Sequence, residues 1–118
     1  MSAHAFHVEV AGGVAIVTFD LPGEPVNKFS RSVKDEFAAL VTQFERDAAV
    51  RAVVLVSGKR DAFIAGADIE EFVALQTVEE ATELSRGGQR FVDAIAAFPK
   101  PFVVAIHGAC VGGGLELA

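Results

Sequence analysis

Apolar and polar positions alternate along the chain in a way that predicts short strands and amphipathic helices. The segments HVEV and VAIVTF, which begin at His7 and Val14, predict two strands around a glycine turn. Ser32 and Asp35 have the spacing of a capping box and predict the start of a helix. The apolar positions that follow fall on one helical face: Val33, Phe37, Leu40, Val41 and Phe44.

The second half of the chain repeats the change from strand to helix. Residues 52–57 and 102–106, AVVLVS and FVVAI, are apolar on both faces and predict buried parallel strands. Between them we expect a loop, a short turn of helix at 69–75, and a longer helix that a capping box at Thr77 and Glu80 begins. The order predicts an α/β fold with right-handed crossovers.

A longer helix is also supported by an apolar stripe through Leu84, Phe91, Ile95 and Phe98. Gly87 and Gly88 interrupt this stripe, each at a cost of roughly 1 kcal/mol against Ala. Pro99 and Pro101 end the helix, and the glycine run at 112–114 is expected to open another one.

Composition and charge exclude several function classes. The 118 residues fit at most one domain, and 52% of them are hydrophobic. A net charge of -6, with the ten basic residues scattered, argues against binding to nucleic acid or to an anionic membrane surface. The single cysteine, Cys110, fits a reducing compartment. The start of the chain lacks the features of a signal peptide, and residues 101–118 are too polar for a membrane helix.

The glycine run does not match the common phosphate-binding motifs. Gly108 and Gly113 have the spacing of a P-loop, but Gly114 and Leu115 stand where Lys and Ser or Thr are needed. A dinucleotide fingerprint fails because Leu117 replaces its third glycine. We also expect no metal site, because the pair His107 and Cys110 has no further ligands nearby in the sequence.

A strand that leads into glycines and then a helix presents free backbone N–H groups beyond its end. Such groups can stabilise an oxyanion, and Glu116, three residues beyond Gly113, is placed on the same helical face as a general base. The segment IAGADI, residues 64–69, is a second candidate of the same kind. Each feature alone also has a structural explanation: glycines as packing devices, Glu116 as a charge near the helix dipole, and Asp68 as a helix cap.

Two segments, FIAGADIEEF (63–72) and PKPFVVAIHGACVGGGLELA (99–118), resemble the signatures of the crotonase, or enoyl-CoA hydratase/isomerase, superfamily. The early loop DLPGEPVNKFS is similar to that of the multifunctional fatty-acid oxidation α subunits. The resemblance implies a crotonase-like ββα spiral core and an enoyl-CoA hydratase of β-oxidation. It also implies a cytoplasmic, oligomeric enzyme, with a thiolase subunit as a further partner.

The resemblance assigns a role to individual residues. Ala67 and Gly113 would supply the N–H groups of the oxyanion hole, and Glu116 matches the first of two catalytic glutamates. The positions that match the CoA and acyl site are Val26, Ala65, Ala67, Asp68, Ile69, Gly112 and Gly113. Hydration needs no cofactor; coenzyme A is part of the acyl-CoA substrate, and NAD would be used only by a downstream dehydrogenase domain.

The chain also departs from the hydratase pattern. Glu70 stands where many hydratases carry Lys, and the second glutamate of the hydratase pair would lie beyond residue 118. We therefore expect residues 1–118 to be the N-terminal part of a crotonase-like domain, truncated at its C-terminus and inactive alone. An isomerase or thioester hydrolase of the same superfamily and a non-catalytic acyl-CoA-binding module remain as alternatives.

Overall fold

The computed structural model describes residues 4–118. Its elements are β1 (Phe6–Ala11), β2 (Val14–Phe19), α1 (Arg31–Arg46), β3 (Ala52–Ser57), β4 (Ala62–Ile64), α2 (Ile69–Val73), α3 (Val78–Ala96), β5 (Phe102–Ala105), β6 (Ala109–Cys110) and α4 (Gly113–Leu117). The main sheet has the order β1-β2-β3-β5, with β1 antiparallel to β2 and the other neighbours parallel. This confirms the α/β class and the parallel strands. Residues 1–3, the start of the segment judged not to be a signal peptide, lie outside the described residues.

The main helices begin at side-chain caps. Ser30, not Ser32, caps α1: its backbone is extended and its hydroxyl accepts from the N–H of Val33 at 3.2 Å. The predicted capping box was therefore wrong by two positions, because Ser32 already lies in the first helical turn. The prediction for α3 is confirmed, since the Thr77 hydroxyl accepts from the N–H of Glu80 at 3.1 Å.

One face of the main sheet packs against α1 and α3. Phe37 of α1 lies at the centre of this core, with its ring 5.6 Å from that of Phe91 on α3 and 6.1 Å from that of Phe102 on β5. Aromatic pairs in this range add to the free energy of simple burial. The predicted helical face is correct, with Leu40 at its edge and the other four residues fully buried.

Within residues 4–118 no helix covers the other face of the sheet, so the predicted burial of β3 and β5 on both faces is not observed in this part of the chain. The strand register places Ile16, Val54 and Val103 side by side on this open face. Val103 is 55% exposed. The apolar runs report what the strands can bury, and within residues 4–118 both α1 and α3 cover the same side of the sheet.

A second, two-stranded parallel sheet was not predicted. It joins β4 to β6 through the pairs Ala62 with Ala109 and Ile64 with Cys110. Strands of two and three residues have no readable periodicity, so the sequence predicted loops there. None of the helices within residues 4–118 combines the length and the apolar character needed to cross a membrane.

Candidate active site

The two loops predicted to hold an oxyanion lie side by side. Gly66 and Gly112 both have positive φ, +115° and +53°, which only glycine adopts without strain. A Cβ placed on Gly112 would lie 3.5 Å from the Cα of Gly66, and one on Gly66 would lie 3.8 Å from the Gly113 nitrogen. The residues that follow these glycines, Ala67 and Gly113, are therefore brought together by contact between the two backbones.

The backbone N–H groups of Ala67 and Gly113 are available to a ligand. On either side of Ala67, Phe29 donates its N–H to the carbonyl of Gly66 at 2.8 Å and accepts from the N–H of Asp68 at 2.9 Å. Gly113 begins α4, where a helix leaves its first N–H groups unpaired. Within the described chain, neither of these two N–H groups donates to another protein group.

Each glycine of the run 112–114 has a separate structural reason. Gly112 supplies the positive φ that turns the chain into α4. At Gly114 a Cβ would lie 2.5 Å from the carbonyl oxygen of Ile64, so α4 packs directly on β4. At Gly113 the nearest neighbour of a Cβ would be the Phe29 ring, at 3.2 Å.

The side chain of Asn27 fixes the position of the loop at residues 64–69, which contains Ala67. It is completely buried, and its amide nitrogen donates to the Phe19 carbonyl, the Ser57 hydroxyl and the Phe63 carbonyl at 2.8, 3.0 and 3.1 Å. Its side-chain oxygen accepts from the N–H of Leu21 at 3.0 Å. The ends of β2 and β3 are thereby tied to β4, which leads directly into the Ala67 loop. No feature of the sequence had singled out Asn27.

A cavity of about 390 Å³ opens in front of the two N–H groups. Four of the predicted site residues line it: Ala67, Asp68, Gly113 and Glu116. The other four, Val26, Ala65, Ile69 and Gly112, do not line it, and Ile69 is 71% exposed. The substrate-binding roles of these four residues stay predictions.

Three carboxylates line the cavity, but two of them are engaged. Asp68 caps α2 by accepting from the N–H of Glu70 at 3.1 Å. Both oxygens of Glu71 accept from the N–H of Arg31, at 3.1 and 2.9 Å, which joins α2 to the start of α1. Within residues 4–118 the Glu116 side chain makes no hydrogen bond or ion pair, so its carboxylate oxygens are open to a ligand in the cavity.

The remaining wall of the cavity comes mainly from α3 and is largely apolar, with the polar residues Lys34, Ser85 and Gln89 also lining it. Sequence reasoning had missed these residues as site components, although the helical stripe that includes Leu84 and Phe91 had identified the face that carries them. The wall is completed by Phe29, Phe72, Leu75, Ala81, Gly88 and Val92. His107 lies elsewhere, with its Nε2 2.7 Å from the Lys59 carbonyl oxygen in a structural contact.

Comparison with known proteins identifies the family. The enoyl-CoA hydratase/isomerase family model matches residues 9–118. The fatty acid oxidation complex subunit alpha of Shewanella oneidensis is 45% identical over 106 residues, which is 90% of this chain and 15% of that protein. The subunit of the same name from Idiomarina loihiensis is 45% identical over 115 residues, or 97% of this chain and 16% of its own length. The chain thus spans only about a sixth of the curated relatives it matches.

Solved structures agree with this match. An enoyl-CoA hydratase/carnithine racemase from Magnetospirillum magneticum superposes with a TM-score of 0.88 at 33% identity, covering 99% of this chain and 44% of that one. Pseudomonas aeruginosa DspI gives a TM-score of 0.88 at 30% identity, covering 100% of this chain and 44% of its own. The predicted crotonase-like core is thereby confirmed, and the chain belongs to the enoyl-CoA hydratase/isomerase family.

Proposed function

We propose that this chain supplies the oxyanion hole and one acid/base carboxylate of an enoyl-CoA hydratase that acts in fatty-acid β-oxidation. The observation that carries the proposal is the shared cavity. Two adjacent backbone N–H groups without protein acceptors, those of Ala67 and Gly113, border it together with the unengaged carboxylate of Glu116. The largely apolar wall on α3 would contact the alkyl chain of a fatty acyl thioester.

The proposed reaction adds water across the double bond of a 2-enoyl thioester. A hydroxyl group adds to C3 and a proton to C2, and negative charge develops on the thioester oxygen as an enolate. The N–H groups of Ala67 and Gly113 would donate to that oxygen, and each such donor commonly contributes ~10²–10³ in rate. Glu116 would accept a proton from water, which a free carboxylate at neutral pH can do.

A double-bond isomerase is the second candidate, because its reaction can proceed with a single base. Only one carboxylate on the cavity is unengaged within the described residues. A single base can remove a proton from C2 of a 3-enoyl thioester and return it to C4. The same oxyanion hole would stabilise the intermediate enolate.

The test compares the full-length protein with two variants. Glu116→Gln keeps the size of the side chain but cannot accept a proton at neutral pH, so we expect most of kcat to be lost while thioester binding persists. Glu79→Gln removes an exposed carboxylate in the first turn of α3, outside this cavity, and serves as the matched control. Hydration of crotonyl-CoA is followed by the loss of absorbance of the conjugated thioester.

Parallel assays separate the alternatives. Conversion of a 3-enoyl-CoA without hydration would identify an isomerase, and release of free CoA would identify a thioester hydrolase. Binding of acyl-CoA without any turnover would identify a binding module. Unchanged kcat in Glu116→Gln with only KM raised would contradict the role of Glu116 as a base.

Location and partners follow from the same proposal. We infer that the protein acts in the cytoplasm on acyl-CoA thioesters, without a cofactor for hydration itself. The relatives are named as subunits of a fatty acid oxidation complex. We therefore propose that this protein also works in an oligomeric assembly, with a thiolase subunit as the expected partner. Gel filtration of the native protein with its co-purifying subunits tests this.

A further inference from the structure

Two adjacent glycines in the middle of α3 have no local reason to be glycine. α3 runs without a break from Val78 to Ala96 and includes Gly87 and Gly88. An internal glycine costs a helix roughly 1 kcal/mol relative to alanine. Neither residue has a positive φ, and a Cβ at either would meet no atom within 4 Å. Within residues 4–118, neither backbone conformation nor close packing therefore requires glycine at these two positions.

The two glycines face different spaces. Gly88 lines the cavity that also contains Gly113 and Glu116. Gly87 lines a separate groove between α1 and α3. A side chain at 88 would therefore take up volume in the candidate active site, and one at 87 would not.

A series of contacts through Phe29 and Phe91 separates Gly88 from the oxyanion hole. The Phe29 ring is the nearest neighbour of a Cβ on Gly113, at 3.2 Å, and its centroid is 5.3 Å from that of Phe91. Gly88 precedes Phe91 by three residues, or about 4.5 Å along the helix axis. The contacts thus lead from Gly113 to the rings of Phe29 and Phe91. Gly88 lies about one helical turn before Phe91 on α3. The lining residues near it on the same helix are the apolar Leu84 and Val92 and the polar Ser85 and Gln89, so an alkyl chain would have apolar contacts on part of this wall.

We propose that Gly88 sets the length of acyl chain that the site accepts. The absent side chain keeps the cavity open beside Gly88, so that the alkyl tail of a medium- or long-chain thioester can extend past Phe91. This inference rests on the proposed function, because it assumes that the thioester carbonyl lies at Ala67 and Gly113. Gly88 is then a specificity-determining residue that takes no part in the chemical step.

The test uses Gly88→Leu and its matched control Gly87→Leu in the full-length protein. Leucine has a much higher helix propensity than glycine, so both variants should retain α3. For each variant, kcat/KM for a longer substrate is divided by its own kcat/KM for a four-carbon enoyl-CoA, so that a general loss of activity cancels, and the losses below refer to this ratio. For twelve- and sixteen-carbon substrates, Gly88→Leu should lose roughly 10- to 200-fold, the usual effect of excess methylene groups in an apolar pocket. Gly87→Leu should keep the wild-type profile, and Gly88→Ala should fall between.

A binding series with saturated acyl-CoAs of the same lengths, measured by calorimetry, makes the test independent of turnover. Equal length profiles for Gly88→Leu and Gly87→Leu would overturn the inference. If the wild type binds acyl-CoAs but hydrates none, the proposed activity fails, and the binding profile alone decides the role of Gly88. If the wild type binds no acyl-CoA of any length, both proposals fail.

Discussion

Gly114→Ala tests whether the packing of α4 on β4 holds the oxyanion hole in position. The new Cβ would lie 2.5 Å from the Ile64 carbonyl oxygen and 2.8 Å from the Ile64 Cβ. These atoms belong to the backbone and the branch point of a fully buried residue, so they cannot rotate away. The contact is roughly 1 Å shorter than the optimum of about 3.5 Å for such atoms. Either α4 or β4 must therefore move by a comparable distance.

The displacement should reduce catalysis more than it reduces stability. Gly113 directly precedes Gly114, so its N–H moves with the helix, and a misplacement of about 1 Å can cost about 10²-fold in rate. Overpacking of this kind typically costs about 1–3 kcal/mol in the free energy of unfolding. We therefore expect kcat to fall by about 10²-fold while most of the protein stays folded and KM changes little.

In the full-length protein, the assay measures kcat and KM for crotonyl-CoA together with urea unfolding, for Gly114→Ala and for Gly87→Ala. Gly87→Ala is the control, since its Cβ meets nothing within 4 Å and alanine stabilises a helix. A folded Gly114→Ala protein with wild-type kcat would refute the reasoning. A loss of activity that matched the unfolded fraction would also refute it, because the hole itself would then be intact.

Three further predictions concern the free energy of unfolding and the position of the Ala67 N–H. Asn27→Asp replaces a buried amide, whose two hydrogens are shared among three acceptors, by a carboxylate that faces carbonyl oxygens. We therefore expect about 3 kcal/mol or more to be lost at pH 7 in urea unfolding. Burial raises the pKa of such a carboxyl, so near neutral pH the folded state binds a proton that the unfolded state has released. The free energy of unfolding of this variant should therefore fall as pH rises above about 4, and a free energy that did not change with pH would contradict this. Lys100→Met removes donations to the carbonyls of residues 44, 47 and 50 at and after the end of α1, and we expect the free energy of unfolding to fall by about 2 kcal/mol. The control Arg60→Met changes a side chain that is 94% exposed and should leave the free energy of unfolding almost unchanged. Gly66→Ala forces a positive φ on a residue with a Cβ and should lower both stability and kcat, and wild-type values for both would show that Ala67 is positioned by other contacts.

The sequence alone was sufficient for the order of the main elements. Apolar periodicity identified α1 and α3 because a helix that covers a sheet must place its apolar residues on one face. The strand ends, the glycines and Glu116 were recognisable because their chemistry depends on residues close together in the chain. Those local relations also gave the candidate site, since the distance from Gly113 to Glu116 is one helical turn.

The tertiary structure decided everything that depends on contacts between distant segments. Pairing of β4 with β6 brings Gly66 against Gly112, and no periodicity in strands this short could have predicted it. Asn27 looks like any polar loop residue until its partners from β2, β3 and β4 surround it.

Tertiary packing also decided which face of the sheet is buried. The apolar runs of β3 and β5 specified strands able to be covered on both faces. Only packing determined that α1 and α3 lie on one side, leaving Val103 on the other. In the same way, the sequence showed two glycines in α3 at equal cost, and only the folded chain distinguished Gly88, which faces the cavity, from Gly87, which does not. The physical reason is that helix and strand propensities act between near neighbours, whereas a cavity is formed by the surfaces of several elements at once.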